Sequence, residues 1–256
     1  MLTLWAVLAL GAAAWLWHRR LRRLVRGLED RLAAASQALE TLQRAFARFA
    51  PPDVVEDVIA RGTSQRSENK EVTVLFADLK GFTPLAEGVD PQVLVRILNG
   101  YFECMSRAIR AHQGHVSEFI GDGILALFGA LEANPWQTND AVHAALAMRA
   151  ALADYNATLR AEGLPALAMG VGIHRGTVVA GVFGNAELMK YGVIGSPVNL
   201  ASRVQGLTRV HDVDVLVTEA ARDALDPGFR LRPMPPTALK GIAGALPTFA
   251  VERFEP

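Results

Sequence analysis

Val72-Thr73-Val74-Leu75-Phe76-Ala77-Asp78-Leu79-Lys80-Gly81-Phe82-Thr83 decides the fold when taken with a second run, Phe119-Ile120-Gly121-Asp122-Gly123-Ile124-Leu125-Ala126-Leu127-Phe128. Residues 72–77 are apolar and rich in β-branched side chains, the pattern of a buried strand, and the run ends on a carboxylate. Two strand-like runs, residues 115–120 and 124–128, flank Gly121-Asp122-Gly123, a hairpin turn signal. Between these stretches the periodicity predicts a helix over residues 84–111, closed by Gly114. Strand, helix and hairpin in that order bring Asp78 and Asp122 together at the ends of adjacent central strands. Two carboxylates there make a poor hydrophobic core and a good oxygen-ligand site for Mg2+ or Mn2+.

Downstream, an alanine-rich helix is expected over residues 138–161, then strands over 167–173 and 178–183 with a turn at His174-Arg175-Gly176. A helix over 197–207 and a strand over 213–217 follow. The order implies an α+β sandwich with a largely antiparallel sheet. Leu79-Lys80-Gly81-Phe82-Thr83 leads from the first strand into a helix, so its backbone N–H groups are suited to cradle phosphate. An aspartate in a Gly-Asp-Gly turn is commonly a turn residue and no more. Combined with Asp78 and the loop after it, the pattern reads as metal and phosphate.

The chain has 256 residues, enough for one substantial domain and an accessory segment. Its formal net charge is +0, which gives no sign of a nucleic-acid partner. A single cysteine, Cys104, excludes an intrachain disulfide and a cysteine-built zinc site. His174, His143 and the other histidines lack zinc-site spacing and read as structural. Residues 2–17 carry no charge, and Arg19, Arg20, Arg22, Arg23 and Arg26 follow. That order, with Trp5, Trp15 and Trp17, predicts an uncleaved single-pass anchor over residues 1–18 in the cell (inner) membrane, with all that follows cytoplasmic. The alternative is a buried or interfacial helix, since the run reaches roughly 24 Å against a hydrocarbon core of about 30 Å. Over residues 19–50, Leu32, Ala35, Leu39, Leu42, Phe46 and Phe49 keep the spacing of a coiled-coil seam. An amphipathic helix packed on its own domain would show a similar pattern. Ala50-Pro51-Pro52 ends that helix, residues 51–69 read as a linker, and the main domain is expected over residues 70–256.

At this point the residues resemble class III adenylate and guanylate cyclases, from about Lys70 to Phe254. The matching blocks are residues 74–83, 119–128 and Gly172-Ile173-His174-Arg175-Gly176, then Val198-Asn199-Leu200-Ala201-Ser202-Arg203 and Leu239-Lys240-Gly241. The segment around residues 46–59 is similar to the linker that precedes such domains in bacterial members. The resemblance implies a ferredoxin-like core that works as a homodimer with active sites at the interface. One protomer would supply Asp78, Asp122 and the Leu79 carbonyl to two divalent cations, Mg2+ or Mn2+, with Gly81, Phe82 and Thr83 at the phosphates. Its partner would supply Asn199, Arg203 and Lys240. The implied reaction is attack of the ribose 3′-hydroxyl of GTP or ATP on the α-phosphorus, releasing pyrophosphate.

Two positions depart from the adenylate pattern. Where ATP-using relatives carry lysine, this chain has Glu118, and where they carry aspartate or threonine it has Gly192. Guanine presents donors at N1 and its 2-amino group, which one carboxylate can accept together, whereas adenine N1 offers a lone pair. Glu118 therefore favours GTP, although guanylate cyclases of the family carry cysteine where Gly192 stands. Adenylate cyclase or relaxed specificity is the alternative. A diguanylate cyclase would need a different hairpin from Ile120-Gly121-Asp122-Gly123-Ile124. A silent dimerising domain conflicts with the filled metal, ribose and phosphate positions.

Overall fold

Strand β1 (Ser67–Lys80) and strand β4 (Ala168–Gly184) are much longer than their apolar runs, and their pairing sets the architecture. All 14 residues of β1 pair antiparallel with β4, from Ser67 opposite Gly181 to Lys80 opposite Ala168. The computed structural model describes residues 2–46, 67–184, 189–238 and 244–255. It falls into two compact units, Met1–Ser64 and Gln65–Pro256. The second holds the sheet.

On its other side β1 pairs with β3 (Gly123–Phe128), which closes a hairpin with β2 (His115–Ile120). β4 in turn pairs with β5 (Met189–Ile194) and, in parallel, with β6 (Val215–Thr218). Beyond β6 lie β10 (Thr248–Phe254) and β7 (Phe229–Pro233), giving the order β2-β3-β1-β4-β6-β10-β7. A two-stranded ribbon, β8 (Thr237–Ala238) with β9 (Ala245–Leu246), stands apart. The sheet is almost wholly antiparallel in a mixed α+β unit, as the element order implies.

His174, Arg175 and Gly176 form no turn: they pair with Val74, Thr73 and Val72 in the middle of the ladder. β1 starts five residues before its apolar run, and those residues pair with Thr177–Gly181, so what reads in isolation as a gap between two strands falls inside one continuous ladder. Gly176 serves close approach instead, because a Cβ there would lie 2.8 Å from Pro197 Cγ. The helix expected over 84–111 is likewise two, α2 (Phe82–Gly88) and α3 (Pro91–Ala111). Asp90 starts the second, its carboxylate accepting from the N–H groups of Gln92 and Val93, with Pro91 in the first turn.

Strand alternation divides the core in two. Leu75, Ala77 and Leu79 of β1 pack with Ile97, Tyr101, Met105 and Ile109 of α3 and with Met148 of α4 (Gln137–Ala161). Val72 and Val74, on the opposite face, pack with Leu125, Leu127, Val178 and Ala201, the last from α5 (Ser196–His211). Asp78 shares this second face by parity. A short α6 (Glu219–Arg222) follows β6 and is capped by the Thr218 hydroxyl.

The first unit is described as one helix, α1 (Leu2–Phe46). Among the described residues no helix is long and apolar enough to cross a membrane, which corrects the expected single-pass anchor and its membrane location. The charge-free run stops at Trp17, and His18, Arg19 and Arg20 continue the same helix, with Arg19 over the Trp15 ring. Leu32 and Leu39 of the expected seam are exposed, as is Leu28 one turn before them. Phe49 and Ala50 of the expected helix and residues 51–66 of the expected linker lie outside the described residues, while Ser67, Glu68 and Asn69 already belong to β1.

α5 rests on β4 where there is no side chain to hold it off. A Cβ on Gly172 would fall 2.2 Å from the Gln205 backbone nitrogen and 2.5 Å from the Ala201 carbonyl oxygen. Gly172→Val should therefore lower the denaturant midpoint by the equivalent of about 3 kcal/mol or more, since α5 must lift as a body. An unchanged midpoint in urea unfolding would contradict this packing.

Candidate active site

Asp78 stands two residues before the end of β1, opposite Gly170, on the face that α5 covers. Asp122 occupies the β2–β3 turn beside Gly121, whose φ of 62° is the left-handed conformation the turn needs. The Leu79 N–H donates to Asp122 Oδ2 at 3.2 Å, which fixes the turn to the strand end. Gly123 must be small as well: a Cβ there would lie 3.1 Å from the Ile120 carbonyl oxygen and 3.5 Å from Asp78 Oδ1. From the last turn of α5, Arg209 Nη2 donates to Asp78 Oδ2 at 2.5 Å and to the Leu79 carbonyl at 2.8 Å.

Burial pushes the Asp78 carboxyl up to about 6 from an ordinary 3.8. A side-chain hydrogen bond with Asp122 and the charge of Asp122 contribute to that rise, and Arg209 opposes it. The Tyr101 phenol is held far above its usual range by burial first, then by the charges of Asp78 and Asp122. Its hydroxyl is buried, with no hydrogen-bond partner among the described residues. Low dielectric and crowded negative charge make a site that gains from a cation. The donors are all oxygen, which fits Mg2+ or Mn2+. Among the described residues no group of three or more His, Cys, Asp or Glu side chains forms, and the oxygens that could hold a cation here are two carboxylates and a carbonyl. Such a sparse set is the kind that holds Mg2+ together with substrate phosphates and water.

The other residues singled out in the sequence fall in several places. Leu79 and Lys80 belong to β1, not to a loop, and Lys80 Nζ is held by Asp214 Oδ1 at 3.1 Å and the Val213 carbonyl at 3.0 Å. Gly81 precedes α2 in the left-handed conformation, Phe82 packs against the core, and Thr83 is exposed. Asn199 and Arg203 sit one turn apart on α5, exposed, and among the described residues neither has a hydrogen bond or ion pair. They do not meet Asp78; the α5 side chain that does is Arg209. Lys240 lies outside the described residues.

Glu118 follows a bulge in β2 and forms an ion pair with Lys190 of β5 at 2.7 Å. Gly192, two residues on, leaves open space where a side chain would be. Tyr191 between them donates to the Ala130 carbonyl at 2.8 Å. His174 is structural: its Nδ1 lies 2.9 Å from the Thr218 hydroxyl, and burial lowers it to about 4. Arg209 and Lys190 were not legible as site residues. Strand parity and the glycines under α5 are the signals that could have found Arg209.

Residues 64–253 match the family model described as the adenylate and guanylate cyclase catalytic domain. The chain belongs to that family. It is 36% identical over 183 residues to an adenylate cyclase of Anabaena cylindrica, covering 68% of this chain and 36% of the relative. With adenylate cyclase 1 of Rhizobium meliloti it shares 33% identity over 208 residues, 80% of this chain and 31% of the relative. The chain thus spans about a third of the length of these relatives. The crystal structure of the guanylyl cyclase Cya2 superposes with a TM-score of 0.68 at 33% identity, covering 74% of this chain and 95% of that one. The adenylyl cyclase CyaB from P. aeruginosa gives 0.70 at 27% identity, covering 74% and 97%.

In this cyclase domain the raised Asp78 value has a definite sign. Between 3.8 and about 6 the folded chain keeps a proton that the unfolded chain has lost, so metal-free stability falls as pH rises through that window. A dication bound at Asp78 would need the ionised carboxylate and would expel that proton. Affinity for Mn2+ should therefore climb up to about tenfold per pH unit below 6 and level off above it. Electron paramagnetic resonance of free Mn2+ at about pH 5, 6 and 7 checks this, and a flat profile would refute it.

Proposed function

We propose that this chain is a nucleotide cyclase that converts GTP, in preference to ATP, to the 3′,5′-cyclic monophosphate and pyrophosphate. The observation that carries the reading is the Asp78–Asp122 pair with the Leu79 carbonyl at one sheet rim, too sparse for a metal cage and suited to metals arriving with a triphosphate. Asp78, Asp122 and the Leu79 carbonyl would hold two dications, which supply acidity to the ribose 3′-hydroxyl and offset triphosphate charge. The bond formed joins O3′ to the α-phosphorus; the bond broken releases the β- and γ-phosphates as pyrophosphate.

Asn199 and Arg203 have no partner among the described residues of their own chain, which supports their use by a second copy. In the homodimer Arg203 stabilises charge on the α-phosphoryl oxygens, Asn199 orients the ribose, and Lys240 meets the terminal phosphates. The exposed leucines of α1 suit pairing of two chains.

The relatives bear both adenylate and guanylate names, so likeness does not choose the base. Glu118 accepts from N1–H and the 2-amino group of guanine. Lys190, beside it, supplies a donor for O6 that Gly192 lacks. The adenylate reading is favoured by the names of the relatives at 36% and 33% identity.

Cyclic nucleotide formed from GTP and from ATP with Mn2+ is the direct test. Asp78→Ala or Asp122→Ala should cut turnover by about a thousandfold or more. Mixing Asp78→Ala with Arg203→Ala protein should restore roughly a quarter of native activity through heterodimers with one intact site. Absence of any recovery would sink the shared site. Glu118→Lys should lower kcat/KM for GTP at least about tenfold and shift the GTP/ATP ratio toward ATP; an unchanged ratio would remove Glu118 from base selection.

A further inference from the structure

None of the steps above uses Arg209, yet it sits on the atoms they require. α5 reaches the Asp78 face because Gly170 and Gly172 leave room beneath it; a Cβ on Gly170 would lie 2.0 Å from Thr208 Oγ1. Arg209, next in sequence, extends from the last turn, and its Nη2 bridges Asp78 Oδ2 and the Leu79 carbonyl oxygen. These are two of the three oxygens assigned to metal. Lys80, the other cation near the strand end, is turned to Asp214 and the Val213 carbonyl. Asp122 is held by the Leu79 N–H. A guanidinium and a dication cannot share the same two oxygens, and at that range each strongly repels the other. The Arg209 side chain is 49% exposed, so it has a path to solvent when it leaves.

We infer that Arg209 is a resident counter-cation: it neutralises the Asp78 and Leu79 oxygens in the metal-free chain, and an arriving dication must displace it. Arg209 then sets metal affinity by competition and acts as a positioning residue that keeps the two carboxylates together until metal arrives. The inference rests on Asp78 and Leu79 being metal ligands. It differs from a plain structural role in its sign: removing a merely structural arginine loosens the site and weakens metal binding, whereas removing a competitor strengthens it.

The test uses the full chain without nucleotide and reads Mn2+ binding by electron paramagnetic resonance. Arg209→Met keeps the apolar stem and removes the charge. It should bind Mn2+ roughly tenfold tighter, while its metal-free Tm falls and is recovered by Mn2+ to a greater extent than in the native chain. Arg209→Lys, which keeps a cation there, should stay near native affinity. Unchanged or weaker Mn2+ binding in a folded Arg209→Met chain overturns the inference. Should that variant not fold, the native chain serves: labelling of Arg209 by phenylglyoxal, read by mass spectrometry, should rise when Mn2+ binds, and constant labelling overturns the inference equally. Asp78→Asn separates the two levels. If it leaves Mn2+ binding intact, the metal-ligand reading and this inference fall together; if it abolishes binding while Arg209→Met changes nothing, only the inference falls.

Discussion

Repulsion between two carboxylates brought to one sheet rim is the constraint around which this cyclase domain is built. Backbone geometry forces Asp78 and Asp122 together, since one ends a central strand and the other turns the adjacent hairpin. Placing like charges so close in a half-buried position is unfavourable. The chain answers with a raised proton affinity at Asp78, the Leu79 N–H on Asp122, and a guanidinium from the opposite element. The proton and the guanidinium are the two that a divalent cation, bound as proposed, would replace. The rest of the domain keeps these groups in place: the full-length β1–β4 ladder fixes the strand end, and the glycines of β4 let α5 lie close enough for Arg209 to reach.

Much of this could be read from the chain alone. The apolar run ending in Asp78 and the Gly-Asp-Gly turn gave the neighbouring carboxylates, because both are local patterns with one plausible pairing. Elements whose limits depend on a distant partner were not legible. His174-Arg175-Gly176 looks like a turn until β1 is known to begin at Ser67 and to offer it a ladder. Gly88-Val89-Asp90-Pro91 was hidden inside a helical period, although Asp before Pro is a start signal. The N-terminal run was misread for a different reason: its composition is that of a span, but its charge-free length is not.

Contacts made through register were the least visible. Arg209 lies 131 residues from Asp78 in sequence, and only the alternation of side chains along β1 puts the aspartate on the α5 face. Glu118 stands out in the sequence by its place in the family pattern, but not by its contact, since its partner Lys190 belongs to a strand that the sequence does not reveal.

That last pair has a topological consequence. Glu118 lies level with Gly172 through its neighbours Leu125 and Phe76, whereas Lys190 lies level with Phe183, eleven residues further along β4. Fully extended, that stretch would separate them by about 36 Å. They touch because the far half of β4 and its companion β5 curl back, with Tyr191 anchored on Ala130 as a pivot. Five strands thus form a loop closed by that hydrogen bond and by an ion pair whose two side chains are each 46% exposed. Ion pairs of that kind are worth only about 0–1 kcal/mol. The Glu118–Lys190 clasp therefore costs little to open, and the position of the curled arm rests mainly on the β4–β5 ladder and on Tyr191 at the Ala130 carbonyl.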